Sequence, residues 1–242
     1  MPAPIREITL ALAARAGDGP ALLPGPPPGP VLVVAPHPDD ETIGAGGALA
    51  RHALAGDAVT VIVATSGERT SGGGRRAQVV AVAREAECRA ALADLGIGEP
   101  IFLRLPDGAL GDRVSELAAA VREHSRDARV VYLPSLLDPH PDHQAANAAV
   151  AAAPLRPDAE TYGYEVWSPG PVDVVLDIRA VYARKERALG RYATALESVD
   201  YVRAARGLAV YRSIAGGLGG GGLGEGFLRL PADEHAAFML RL

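Results

Sequence analysis

Cysteine is almost missing from this chain. The single residue among 242, Cys88, excludes an internal disulfide framework and any cysteine-rich zinc module. Any bound metal must therefore be held mainly by histidines and carboxylates. A basic excess is missing too. Lys and Arg number 24 against 29 Asp and Glu, giving a net charge of −5, and no basic block occurs. That excludes the electrostatic footprint of a nucleic-acid binder. No apolar run reaches the roughly 18–20 residues of a membrane span, so a membrane partner is not expected. The first apolar stretch, Ile5 to Ala16, is broken by Arg6, Glu7 and Arg15. It suits a short amphipathic helix better than a signal peptide, and the expected location is cytoplasmic. Repeats with a period of 20–50 residues are not visible.

What is present is an ordinary globular balance, 48% hydrophobic and 22% charged, with abundant glycine (28) and proline (20). The length suits one substantial core, and we read 1–242 as a single domain. Residues 1–23 form an N-terminal helix in this reading, 24–30 a stiff Pro/Gly connector, and 31–242 the body. Val31 to Ala35 is a continuous apolar run and predicts a strand buried on both faces. Val59 to Ala64, Ile101 to Leu103 and Arg129 to Leu133 predict further strands. Helices are expected over 42–55, 77–95, 114–125, 143–153 and 181–196, with Gly96 closing the second. Tyr162 to Val166 and Val172 to Ile178 are candidate later strands. The alternation argues for an α/β fold, a mostly parallel sheet with helices on both faces, whose ligands bind at the carboxyl ends of the strands. The eight glycines between Gly216 and Gly226 read as a flexible surface loop.

Two segments carry chemistry. The first strand runs into Pro36-His37-Pro38-Asp39-Asp40-Glu41. Adjacent like charges repel, so three carboxylates in a row are a poor choice for stability alone. A divalent cation reverses that cost. The fourth predicted strand runs into Asp138-Pro139-His140-Pro141-Asp142-His143. One His-Pro-Asp alone would read as a capped turn. Two of them, each following a buried strand, can meet across a switch point and converge on one ion. His52, His124 and His235 lack such company and read as structural or surface residues. Gly44-Ala45-Gly46-Gly47 follows the first strand, but a dinucleotide fingerprint would need glycine where Leu49 stands.

Ala35-Pro36-His37-Pro38-Asp39-Asp40-Glu41 resembles the signature of the LmbE-like, or PIG-L, family of zinc-dependent N-acetylglucosaminyl deacetylases. His140-Pro141-Asp142-His143 matches that family's second motif. Thr65-Ser66-Gly67-Glu68, Arg84-Glu85-Ala86-Glu87, Leu105-Pro106-Asp107-Gly108 and Tyr164-Glu165-Val166-Trp167 resemble further family segments. The likeness covers about residues 30–230 and implies a Rossmann-like fold. It implies that His37, Asp40 and His143 bind zinc, a ligand set that ferrous iron would also suit. Asp39 would be the general base and a protonated His140 would stabilise the transition state. Asp142 would orient His140, and Glu41 would support the site from behind.

The implied reaction removes acetyl from an N-acetylglucosamine-type sugar, releasing acetate and a free amine. An amidase acting on another amide, such as a thiol-cofactor conjugate, is the second enzymatic reading. A non-catalytic sugar-binding module is the rival of another class. Glu68, Arg69, Arg84 and Asp138 are candidates for contact with the substrate, although ion pairs or a turn cap would equally account for them. Tyr162, Tyr164 and Trp167 offer flat faces for a sugar ring or fill the core. The resemblance also makes a homo-oligomer a reasonable expectation.

Overall fold

In a computed structural model, residues 3–15, 17, 19–69 and 76–241 are described. The chain opens with α1 (Ala3–Arg15) and a short strand β1 (Ala21–Leu23), then enters the body at β2 (Val31–Ala35). There follow α2 (Asp40–Ala55), β3 (Val59–Thr65), α3 (Ala77–Leu95) and β4 (Ile101–Leu105). A turn of 3-10 helix leads into α4 (Val114–His124), β5 (Val130–Pro134), α5 (Pro141–Ala152) and β6 (Glu160–Tyr164). The last part holds β7 (Val174–Asp177), α6 (Tyr182–Leu189), α7 (Ala193–Leu196), α8 (Tyr201–Ala215), β8 (Gly224–Pro231) and α9 (Ala232–Met239). The eight strands form one sheet in the order β1-β7-β8-β6-β5-β2-β3-β4. Among the described residues, only β8 runs antiparallel to its neighbours, β6 and β7. The expected fold class, α/β with a mostly parallel sheet and helices around it, is what is observed.

The central strand shows why. Val31, Val33 and Ala35 face a core shared with α2, α3 and α6. Leu32 and Val34 face the opposite core, shared with α4 and α5. A strand covered on both sides has no polar face to alternate, so it reads as unbroken hydrophobicity. Burying each Val or Leu contributes about 1.5–3 kcal/mol, which makes this strand the axis of both cores.

Several expectations need correction. Residues 21–23 are not helical but pair in parallel with β7. The end of the expected first helix, Ala16, lies outside the described residues. The helix expected over 181–196 is two helices, α6 and α7, parted near Gly190. The glycines from 216 to 226 are not all loop, because Gly224 and Gly226 are buried in β8. A Cβ on Gly224 would lie 2.6 Å from Val175 Cγ1, and one on Gly226 would lie 3.0 Å from Val172 Cγ1. Glycine is used there for close packing. The run Gly44 to Gly47 has a similar cause. A Cβ on Gly44 would lie 2.2 Å from the Tyr164 ring, and one on Gly47 2.6 Å from Ile178. Among the described residues, no helix is long and apolar enough to cross a membrane.

Candidate active site

Strands β2 and β5 are parallel neighbours, so the segments that follow them emerge at the same edge of the sheet. That adjacency joins the two motifs. The rings of His37 and His140 have centroids 4.9 Å apart, and those of His140 and His143 4.8 Å apart. Asp40 starts α2 and sits between two of these histidines. Its Oδ2 accepts the His37 backbone N–H at 2.9 Å and lies 3.1 Å from His37 Nδ1 and 3.2 Å from His143 Nε2. Asp39 adopts a φ of 123°, a region L-residues rarely occupy and one that costs about 1–3 kcal/mol. Glu41, fully buried, steadies this turn. It accepts the Asp39 N–H at 3.2 Å, and also hydrogen bonds from Thr42 Oγ1 at 2.6 Å and from the Tyr192 hydroxyl.

The cluster shifts its own proton affinities. Burial alone would lower His37, but Asp107, Asp142 and Asp40 outweigh it and raise the ring well above its ordinary value. Burial would likewise lower His143, but Asp40 and Asp138 raise it to about 9. Burial would raise Asp40, yet the facing imidazoles of His143 and His37 hold it far below the usual carboxylate range. Asp39 is different. Burial pushes it up to about 7, against the pull of the Arg84 guanidinium 2.9 Å away.

His140 moves the other way from its two companions. Burial, then the positive neighbours His37 and His143, lower its pKa. Its Nδ1 accepts the Asp142 backbone N–H at 3.2 Å, so the neutral ring carries its hydrogen on Nε2. The backbone contact at Nδ1 favours a neutral donor here, where the resemblance implies a protonated His140.

The residues fit a divalent cation. His143 is fully buried, yet among the described residues neither ring nitrogen has an aligned hydrogen-bond partner, although carboxylate oxygens lie 3.2 and 3.3 Å away. Buried polar atoms are rarely left this way. The Asp40 oxygen lies 3.1 and 3.2 Å from the two nitrogens, close to the roughly 3.4 Å between ligand atoms on a tetrahedral ion with bonds of about 2.0–2.1 Å. His37, His140 and His143 also form a compact group of possible ligands, as do His37, Asp107 and Asp142.

Other candidates are placed differently from expectation. Asp138 does not line the cavity. It is buried, lies 3.3 Å from His143 Nδ1, and accepts the backbone N–H groups of His140 and Trp167. It therefore stands behind His143, on the side of the ring away from Asp40. The Asp142 carboxylate does not orient the His140 ring. It lies 3.1 Å from His37 Nε2 and accepts the N–H groups of Gly108 and Leu110, and only its backbone meets His140. Glu68 lies outside the cavity and accepts the Asp107 N–H at 3.0 Å. Arg84 lines the cavity but is tied to Asp39 and to the Pro38 carbonyl. Arg69 lines the cavity.

Tyr162 and Tyr164 are core residues. Trp167 is 54% exposed and stacks on His140, with ring centroids 5.8 Å apart and planes 19° apart. Asp107 and Tyr201, not singled out from the sequence, also line this cavity of about 320 Å³. The Asp107 loop lies in one of the quoted family segments; Tyr201 had no local signal. His52 and His235 are buried structural residues, and His124 is half-buried.

Residues 32–154 match the family described as PIG-L, GlcNAc-PI de-N-acetylase. A curated relative is the 1D-myo-inositol 2-acetamido-2-deoxy-alpha-D-glucopyranoside deacetylase of Rhodococcus erythropolis, 36% identical over 152 residues, which are 51% of this chain and 52% of that protein. The chain spans about half the length of the curated relatives it matches. Among solved structures, a conserved protein of Thermus thermophilus is 32% identical with a TM-score of 0.69, covering 83% of this chain and 94% of that one. The 4-carboxy-2-hydroxymuconate hydratase of Pseudomonas putida is 26% identical with a TM-score of 0.70, covering 83% and 95%.

Proposed function

The chain belongs to the PIG-L family, and on that premise we propose that it is a metal-dependent hydrolase that removes the acetyl group from an N-acetylglucosamine-type amino sugar. The observation that carries this reading is the placing of the Asp39 carboxyl in one cavity with His37 and Asp40, directly in front of the buried His143 ring 3.2 Å from Asp40. His37, Asp40 and His143 would hold the ion. Zinc is the ion we assign; ferrous iron suits the same donors. When bound, such an ion supplies Lewis acidity and makes water a stronger acid.

The chain's own residues do the rest. Asp39 accepts the proton of the attacking water, and a base with a pKa near the working pH serves this step best. Arg84 keeps the Asp39 carboxylate ionisable despite its burial. His140 donates from Nε2 to the carbonyl oxygen as negative charge gathers there. Asp39, now protonated, returns the proton to the departing nitrogen, and acetate and a free amine leave. Trp167 presents a flat face beside His140 on which a sugar ring can rest.

The hydratase relative indicates that this fold also hosts another water chemistry, so the decisive assay is broad. Metal-loaded protein is incubated with N-acetylglucosaminides, with amide conjugates of thiol cofactors, and with unsaturated carboxylates. Acetate and primary amine are measured alongside hydration. We expect acetate from the glucosaminides. Turnover of the conjugates alone would favour the amidase, and no turnover with metal bound would sink the enzyme reading in favour of a sugar-binding module.

A further inference from the structure

The three donors assigned to the cation come from two segments. His37 and Asp40 lie in the turn from β2 into α2, and His143 lies in the first turn of α5. They meet only if α2 and α5 keep fixed places on the sheet. α2 is held from late in the chain. Glu225 in β8 accepts the N–H groups of Gly47 and Ala48, at 2.6 and 2.7 Å, and is paired with Lys185 Nζ at 2.6 Å. α5 has a polar brace of its own.

That brace is Asn147, buried in α5. It spends both amide N–H groups on carbonyls at the two ends of the segment that carries Asp138 and His140. Nδ2 donates to the Pro134 carbonyl at 3.1 Å and to the His143 carbonyl at 2.9 Å. Pro134 closes β5, and β5 pairs with β2. One side chain therefore ties the His143 backbone to the strand beside the other two donors.

A side-chain amide can also turn over, exchanging oxygen for nitrogen. Turned over, Asn147 would set its oxygen against two carbonyl oxygens. His235 in α9 opposes this. Its Nε2 lies 3.0 Å from Asn147 Oδ1, which has no hydrogen to give, so the ring donates. His235 is 2% exposed, and burial lowers its pKa to about 4, so the ring is neutral and carries one hydrogen. Nδ1 has no hydrogen-bond partner among the described residues, which leaves that hydrogen to Nε2. Leu133, Leu136, Leu228 and Leu230 surround the pair. Among leucines, an imidazole and an amide are costly to bury unless they answer each other. What a satisfied polar pair supplies there is a single geometry.

We propose that His235 and Asn147 are positioning residues for the cation centre. His235 fixes the Asn147 amide, and Asn147 fixes the first turn of α5 against β5, and with it the place of His143 opposite Asp40. This rests on the assignment of His143 as a ligand, made with the hydrolase reading above, and is independent of which amide is cleaved.

Zinc is the probe. Its dissociation constant is measured by competition with a chromophoric chelator, on metal-stripped full-length protein shown to be folded by circular dichroism. Asn147→Ala should weaken zinc binding about 10–100-fold, the usual effect of removing a group that supports a ligand. His235→Phe keeps a ring but removes the donor, and should weaken binding about 10-fold. His235→Gln, whose amide donates from nearly the same place, should restore it to within about twofold of wild type. Leu228→Ala opens a hole in the same layer without removing either polar group. It should lower the urea midpoint and leave zinc affinity unchanged.

Wild-type affinity in folded Asn147→Ala overturns the proposal, as does equal weakening by His235→Phe and His235→Gln. So does a Leu228→Ala protein that loses as much affinity as His235→Phe at the same urea midpoint, since stability alone would then set zinc binding. If Asn147→Ala does not fold, the two His235 variants decide. His143→Ala separates this proposal from the reading beneath it. Zinc binding that survives His143→Ala removes the ligand assignment and the proposal with it. Binding lost in His143→Ala but kept in Asn147→Ala and His235→Phe overturns the positioning role alone.

Discussion

Two buried histidine sites sit at opposite ends of the same central strands, and their contrast explains what makes one of them chemical. His52, late in α2, is fully buried. Its Nδ1 lies 2.8 Å from Asp57 Oδ2 and its Nε2 3.1 Å from the Tyr132 hydroxyl. One carboxylate and one hydroxyl use up the ring, and burial lowers its pKa despite Asp57. His143 is equally buried but faces two carboxylates, leaves both nitrogens without aligned partners, and is raised to about 9. A satisfied imidazole is structure. An imidazole flanked by two carboxylates, with neither nitrogen in an aligned hydrogen bond, is a place for a cation.

Substitutions at the two ends should separate accordingly. Asp39→Ala should lower kcat by about 10²–10⁴ while metal content, measured by elemental analysis, stays near normal. Wild-type turnover in that variant would remove Asp39 as the base. His140→Ala should cost about 10²–10³ in kcat, again with metal retained, and a metal-free product would reassign it as a ligand. Asp138→Ala should act through His143 and weaken metal affinity about 10–100-fold in a competition titration with a chelator. An unchanged affinity would mean that Asp138 only caps its turn.

His52→Gln should leave kcat within about twofold and cost about 1–3 kcal/mol of stability in urea unfolding. The sign of its pH dependence is fixed. Folding lowers the His52 pKa, so the unfolded chain takes up protons more readily below about pH 6.5. The stability tied to a neutral His52 is complete above that pH and declines as pH falls below it. His52→Gln should flatten this part of the stability profile; an unchanged profile would show that other groups carry it.

Much of the fold was legible in the sequence because its central elements are locally consistent. Val31 to Ala35 and Ala77 to Leu95 are observed with the bounds their patterns suggest. The convergence of the two histidine motifs followed from parallel strands and their common edge. What was not legible depends on distant approach. β8 carries glycines where Val172 and Val175 press in, and glycine has little strand propensity, so the segment reads as loop. The partners of Arg84, Asp138 and Asp142 lie 29 to 105 positions away or across a turn, and no spacing rule assigns them. The neutral state of His140 depends on one backbone N–H that a motif does not reveal.

The grip of Glu225 on α2 also has a consequence in time. All of the histidines and carboxylates assigned to the centre lie before residue 144, whereas the carboxylate that holds Gly47 and Ala48 arrives with β8. At about 5–20 residues per second, a ribosome releases the ligands some 4–16 s before the strand that braces them. During synthesis the nascent chain therefore presents the donors early on a helix whose middle is still unanchored, and the centre matures last.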